Sequence, residues 1–372
     1  MGRSRIISAD SHVFELPNLY VDNCEAKFKD RAPSVIRIEG ADWWVCDGHK
    51  MLSLAGGVQV GMRFEDPEKL TFTGTYENVQ PGGYLPDEHV KDMDADGVDA
   101  GVVFPSIGFL MYNIVQDSQL LTAIFRTYND WLGEFCTPFP NRIKGIALLN
   151  VDNVQEGISE LERCHKLGLV GALIPVYPPV GKRYGSLEYE PLWAAAQDLG
   201  ISINLHVATN RPGTGQELSD IDTLTASFRA NLDYWVRMSL GDIIFNGVFE
   251  RYPKLRVGAV EHELSWVPYF LERIDYAYTQ EAPREGWYRF KEAMLPSDYF
   301  HRNVFVGFQQ DGLGVKLRNI IGVDNLQWGS DYPHQEGTFP KSREILEEIL
   351  AGCTEEEKAK ITCHNAERIY GL

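Results

Sequence analysis

The sequence is short of several things that would declare a function at once. Its six cysteines, Cys24, Cys46, Cys136, Cys164, Cys353 and Cys363, form no C-x-x-C pair, so neither a zinc ribbon nor a dense disulfide framework is signalled and reduced thiols are expected. No run of eighteen apolar residues occurs, and the opening MGRSRIISADSH has charge but no apolar stretch, so a soluble, cytoplasmic chain is expected rather than a membrane-spanning or secreted one. Positive charge is scarce: Lys+Arg 35 against Asp+Glu 53 leaves a net −18. A surface of that sign repels phosphate backbones and anionic lipid, which argues against nucleic-acid and membrane partners. Internal repeats, linkers and low-complexity segments are also missing, so residues 1–372 read as one domain.

What is present is a folding composition, 44% apolar and 12% aromatic, and a length that suits one large α/β barrel or two smaller domains. Short apolar runs alternate with amphipathic stretches: RIISADSH, VDAGVVFPS, RIKGIALLNV, GLVGALIPV, ISINLHV, LRVGAVE, NVFVGFQ and LQWGSDYP. These eight runs are flat in hydrophobicity, as strands buried on both faces are. Between them, helices are expected over Ser118–Phe135, Ile158–Leu167, Pro191–Leu199, Ile221–Phe249, Trp266–Tyr278, Val315–Ile320 and Lys341–Leu350. An open doubly wound sheet uses the same alternation. The position of the reactive side chains favours a distorted (β/α)8 TIM barrel, because Asp10, His12, His206, Glu261 and Asp331 all fall at C-terminal strand ends, where barrels keep their chemistry. The excursion from Pro17 to Lys91, between strands one and two, is too long for a bare loop and is expected to fold as a cap or dimerisation element, which would make the protein a homo-oligomer.

Asp10 and His12 lie two apart in a strand and project to the same side. His206 ends the apolar run ISINL, and Asp331 follows another strand where Gly329 and Pro333 bend the chain. Each has an ordinary reading by itself: a turn cap, a satisfied core histidine, a turn aspartate. Together, at one end of strands one, five and eight, they make a nitrogen and oxygen site suited to a divalent ion, zinc first, with manganese or iron as alternatives.

The segments ISADSH, DEHVKDMDADGVDAGVVFPS, NLHV, VEHELSWVPYFLERID, WGSDYPHQEGTFP and CHNAERIYGL resemble the amidohydrolase superfamily, in the branch that includes aminocarboxymuconate-semialdehyde decarboxylase. The resemblance implies a distorted TIM barrel and a metal centre. Two positions depart from it: the family's opening motif is usually His-x-His and here begins with Asp10, and Glu261 stands where many members have a strand-six histidine. Glu261 is expected as a metal ligand, a partner behind the ligands or a proton donor, or else as a buried acid paired with Arg273. His262 should point to the other side of the strand.

His334, three residues past Asp331, is expected over the site as a proton donor, a substrate contact or a helix-entry residue. Arg211 and Arg183 follow strands five and four, where an acidic substrate would dock. Trp43, Trp44, Phe104, Phe109 and Tyr177 would line an apolar pocket or the core, with Trp43 and Tyr177 as substrate contacts. The other histidines have no strand-end setting. The leading expectation is a metal-dependent hydrolase of a small organic molecule, in which Asp331 or His334 shuttles the proton of a metal-activated water. A non-oxidative decarboxylase comes second and an inactive binding barrel third.

Overall fold

The computed structural model describes residues 4–213, 226–280 and 287–372. Eight strands form one parallel sheet in the order β1-β5-β6-β7-β8-β9-β10-β11, with β1 over Ile7–Val13, β5 over Ala100–Pro105, β6 over Ile143–Leu148 and β7 over Gly171–Ile174. β8 covers Ser202–His206, β9 Val257–Val260, β10 Val304–Phe308 and β11 Leu326–Trp328. These are the eight apolar runs of the sequence. Nearly every residue in them is buried, because side chains of one face fill the barrel interior and those of the other pack under helices. The barrel closes just past β11: Asp331 N–H donates to the Asp10 carbonyl at 2.8 Å and His12 N–H to the Tyr332 carbonyl at 2.5 Å.

The outer helices have the caps that their ends need. Asp117 accepts from Gln119 and Leu120 N–H to start Ser118–Cys136, and Asn153 accepts from Gln155 and Glu156 N–H to start Val154–Lys166. The expected helix Ile221–Phe249 lies partly outside the described residues; what is described is three short helices, Ala226–Arg229, Tyr234–Phe245 and Val248–Arg251. Gly247 at φ 69° ends the middle one, so apolar periodicity ran on through a real stop. A helix before β10, Pro296–Asn303, has no counterpart in the periodicity reading.

The excursion between β1 and β5 makes its own antiparallel sheet of β2 (Ser34–Ile38), β3 (Ala41–Cys46) and β4 (His49–Ser53). Burial alternates along β3, and Trp44 is fully buried with its ring 6.4 Å from that of Tyr20. The excursion ends earlier than Lys91, because Pro86–Asp96 is the barrel's own first crossover helix, with proline in its first turn. Its last part lies against the loops at the C-terminal mouth: Gln59 Nε2 donates to Gln335 Oε1 at 2.8 Å and Arg63 Nη2 to Gln310 Oε1 at 2.8 Å. All six cysteines are free thiols. Among the described residues, no helix is long and apolar enough to cross a membrane.

Candidate active site

Strand β1 does not run straight into the site. Its pairing with β5 slips between Ser8 and Ser11, placing an extra residue on β1. Ser8 Oγ accepts from Ser330 N–H at 2.9 Å, which sews the bulge to the chain after β11. Gly329 makes the seam possible, since a Cβ there would fall 2.4 Å from the Asp10 Cβ.

This seam brings Asp10, His12 and His206 around one point, where Glu261 is the fourth group in mutual reach, and Asp331 joins through His12 and Glu261. His12 Nε2 lies 3.5 Å from Asp10 Oδ1 and 3.2 Å from Asp331 Oδ1, and His206 Nε2 lies 3.7 Å from Asp10 Oδ1. Two ligands at about 2.1 Å from an ion, at the tetrahedral angle, stand roughly 3.4 Å apart, so the spacing suits a shared ion. The tautomers suit it too. His12 Nδ1 donates to the Pro105 carbonyl at 2.9 Å and His206 Nδ1 to the Val207 carbonyl at 3.0 Å. A carbonyl only accepts, so in a neutral ring each Nε2 presents its lone pair to the carboxylates.

Asp10 Oδ1, His12 Nε2, His206 Nε2 and Asp331 Oδ2 are all buried without a hydrogen-bond partner. The orphans on Asp10, His12 and His206, which converge with Glu261, are costly to bury unless something positive sits between them. The donor set therefore fits a divalent cation held by nitrogen and oxygen. Without one, His12 holds on to its proton. Burial alone would lower the His12 pKa, yet Asp10 and Asp331 raise it well above the usual histidine value. Burial alone would raise both aspartates, but the facing histidines, His334 and His12 for Asp331, and His12 and His206 for Asp10, pull them down. A cation entering here displaces a proton.

Glu261 follows β9 in a left-handed conformation, φ 61°, and its Oε2 is 3.3 Å from His206 Nε2. Burial, then repulsion from Asp331 and Asp10, raises its pKa well above the ordinary carboxylate value. Arg273, the other partner considered for it, stacks on Tyr276 at 4.6 Å. His262 turns away, its Nδ1 donating to the Leu232 carbonyl at 3.0 Å, and burial followed by the nearby His206 lowers its pKa to about 3. His334 sits over the cluster, with its ring 4.1 Å from that of His12. Its Nδ1 is 2.8 Å from Asp331 Oδ1, and its Nε2 is 2.9 Å from Ser106 Oγ.

The structure thus brings Asp10, His12, His206, Asp331, Glu261 and His334 together. It does not bring Arg211, Trp43 or Arg183 among them. Arg211 is buried and points inward, binding Asp152 through Nε and Nη2 at 3.1 and 2.7 Å and the Tyr112 and Val115 carbonyls through Nη1 at 2.7 and 2.9 Å. The guanidinium ties loops of the mouth to one another. Trp43 lies on the insertion sheet under Lys50 Nζ at 4.1 Å, Tyr177 packs on Trp235 at 4.7 Å, and Arg183 pairs with Asp242 at 3.2 Å. Phe104 and Phe109 do reach the cluster, 5.2 and 5.4 Å from the His206 ring. Ser106 and Glu15 had no signal in the sequence, being a single hydroxyl and a single acid beside apolar runs.

A family model described as Amidohydrolase matches residues 46–372. The gamma-resorcylate decarboxylase of Rhizobium sp. (strain MTP-10005) is 25% identical over 341 residues, covering 86% of this chain and 99% of that protein. Among solved structures, an amidohydrolase from Mycobacterium avium subsp. paratuberculosis superposes with a TM-score of 0.81 at 21% identity over 100% of both chains. The 5-carboxyvanillate decarboxylase of Novosphingobium aromaticivorans, complexed with manganese and 4-hydroxy-3-methoxy-5-nitrobenzoic acid, gives 0.72 at 19% identity over 99% of this chain and 96% of that one. With an eight-stranded parallel barrel and a family match over most of its length, the chain belongs to the amidohydrolase family.

Proposed function

We propose that the protein is a divalent-metal-dependent, non-oxidative decarboxylase acting on a small aromatic or otherwise unsaturated carboxylic acid. The observation behind this reading is the setting of the cluster: its two histidines, His12 and His206, lie against the rings of Phe104 and Phe109. An apolar wall disfavours a localised carboxylate more than a transition state whose charge spreads into a conjugated system, and the departing CO2 is neutral. The similarity to gamma-resorcylate decarboxylase supports the same choice. Hydrolysis, placed first on the sequence alone, would use the same ligands, and it takes second place here because the relatives are decarboxylases.

Asp10, His12, His206 and Asp331 would hold the ion. When bound, it supplies positive charge to anchor oxygens of the substrate next to the breaking bond. The manganese in the 5-carboxyvanillate decarboxylase structure makes Mn2+ the ion to test first, ahead of the zinc expected from the donor set. The rest falls to side chains. Phe104 and Phe109 flank the substrate and keep bulk water off it. The proton shared by His334 Nδ1 and Asp331 Oδ1 is delivered to the carbon bearing the carboxylate. The bond to the carboxyl carbon then breaks, its electron pair restores the conjugation, and CO2 leaves. Overall RCO2− and H+ give RH and CO2, and the His334–Asp331 pair recovers its proton from solvent.

The test is a panel of hydroxylated aromatic acids with the Mn2+-loaded protein in deuterium oxide. The expected result is stoichiometric CO2 with deuterium on the carbon that lost it. Incorporation of labelled water oxygen into an acid product, with no CO2, would overturn the proposal in favour of hydrolysis.

A further inference from the structure

Glu15 is fully buried three residues beyond His12, and no cationic side chain among the described residues forms an ion pair with it. Its carboxylate instead accepts three successive backbone N–H groups of the loop after β5: Ser106 at 3.3 Å and Ile107 at 2.9 Å through Oε2, and Gly108 at 2.7 Å through Oε1. Burying a carboxylate is expensive, and neutral apolar packing would hold a loop at less cost. The loop it grips explains the choice. Ser106 N–H and the Pro105 carbonyl are the two ends of one peptide group, and that carbonyl is the acceptor for His12 Nδ1 at 2.9 Å. The same loop presents Ser106 Oγ to His334 Nε2 at 2.9 Å.

We propose that Glu15 is a positioning residue that tunes His12 through the Pro105–Ser106 peptide. A negative charge on the peptide's N–H end polarises its carbonyl and makes it a stronger acceptor. A stronger acceptor at Nδ1 fixes the ring and enriches the Nε2 lone pair, just as a carboxylate bound directly to a ligating histidine does. Here the carboxylate acts at one remove, and one side chain sets both the metal-facing imidazole and, through Ser106, the tilt of His334. The inference rests on the metal reading of the site but not on which reaction follows.

The experiment is the Mn2+ dissociation constant, by competition with a fluorescent chelator, for wild type, Glu15→Gln, Glu15→Asp and Ser106→Ala. Glu15→Gln has one acceptor oxygen and an NH2 facing N–H donors, so Mn2+ binding should weaken by about tenfold. Ser106→Ala keeps the peptide N–H, so it should bind Mn2+ within twofold of wild type while turnover falls. Asp96→Asn serves as control: Asp96 is a buried carboxylate that accepts from Ser342 N–H at 2.9 Å, away from the cluster. It should lower the melting temperature without moving Mn2+ affinity. If Glu15→Gln does not fold, Glu15→Asp, which keeps the charge but shortens the reach, should show the same weakening to a lesser degree. A folded Glu15 variant that binds Mn2+ as wild type does would overturn the proposal. Wild type that binds no Mn2+, zinc or iron would overturn instead the metal reading beneath it.

Discussion

In the insertion sheet, Glu39 and Asp47 stand at φ 51° and each precedes a glycine, Gly40 or Gly48, also at positive φ. Both pairs are two-residue hairpin loops, between Ile38 and Ala41 and between Cys46 and His49, where the strands' twist demands a left-handed pair. At the barrel mouth, Ala208, Glu261, Glu263 and Asp331 stand at φ 65°, 61°, 57° and 56° with no following glycine and no hairpin. Three of those four are carboxylates that face inward around the ligand cluster or beside it. Left-handed backbone without glycine costs about 1–2 kcal/mol per residue. In the insertion that cost makes a turn. At the mouth it aims acids, and strain gathered on ionisable side chains is a mark of chemistry.

The largest way to test that division is to remove a ligand. His206→Ala and Asp331→Asn should each cost at least a hundredfold in Mn2+ affinity and several orders of magnitude in turnover while leaving the barrel folded. Trp43→Ala on the insertion sheet should keep full metal occupancy by elemental analysis. A His206→Ala protein that still holds one ion per chain would break the assignment of the mouth as the metal site.

How much of this was legible beforehand follows from range. The strands could be read because burial on both faces leaves flat apolar runs, and the shared strand-end placement of Asp10, His12, His206 and Asp331 because each sits at or just past the end of such a run. The helix after β8 could not be bounded, since apolar periodicity carries no sign of the break at Gly247. The partners of Arg211 could not be read, because an arginine after a strand looks the same whatever it faces, and here it binds Asp152 and two carbonyls. Glu15 acts through a peptide ninety residues on in the chain, a relation made only by folding.

The next test is a difference of sign. Burial, followed by repulsion from Asp311, raises the Glu263 pKa to about 7, and burial lowers His89, on the first crossover helix, to about 4. The stability contributed by protonated Glu263 is fully present below pH about 4.5 and is lost as pH rises through 7. That from neutral His89 is present above about 6.5 and lost as pH falls through 4. Each swing is on the order of 3 kcal/mol. In the chelated protein, Glu263→Gln should flatten the alkaline side of the melting-temperature profile and His89→Gln the acid side. A Glu263→Gln profile parallel to wild type up to pH 8 would show that this acid does not titrate as its burial demands.

A smaller effect tests whether mouth strain is kept for function. Glu261→Gly releases the left-handed penalty and the repulsion with Asp331 and Asp10, so it should stabilise the chelated protein by about 1 kcal/mol. Turnover should fall at least tenfold, because the carboxylate beside His206 is gone. Loss of stability on this substitution would mean that the side chain supports the fold.

The smallest effect belongs to Glu39. Its side chain is exposed on the first hairpin loop and no hydrogen bond to it is recorded among the described residues. Glu39→Gly would give the loop two glycines, which suits both left-handed positions. The relief of about 1 kcal/mol is partly offset by the greater chain entropy that glycine adds to the unfolded state, leaving a gain of roughly 0.5 kcal/mol, or about 1–2 °C in a chain of this size. Turnover and Mn2+ affinity should not move. The pair is informative because both substitutions relieve the same backbone strain: if Glu39→Gly also lowered turnover, the insertion turn would be coupled to the site, and left-handed acids at the mouth could no longer be told from those in the hairpins by their effect on chemistry.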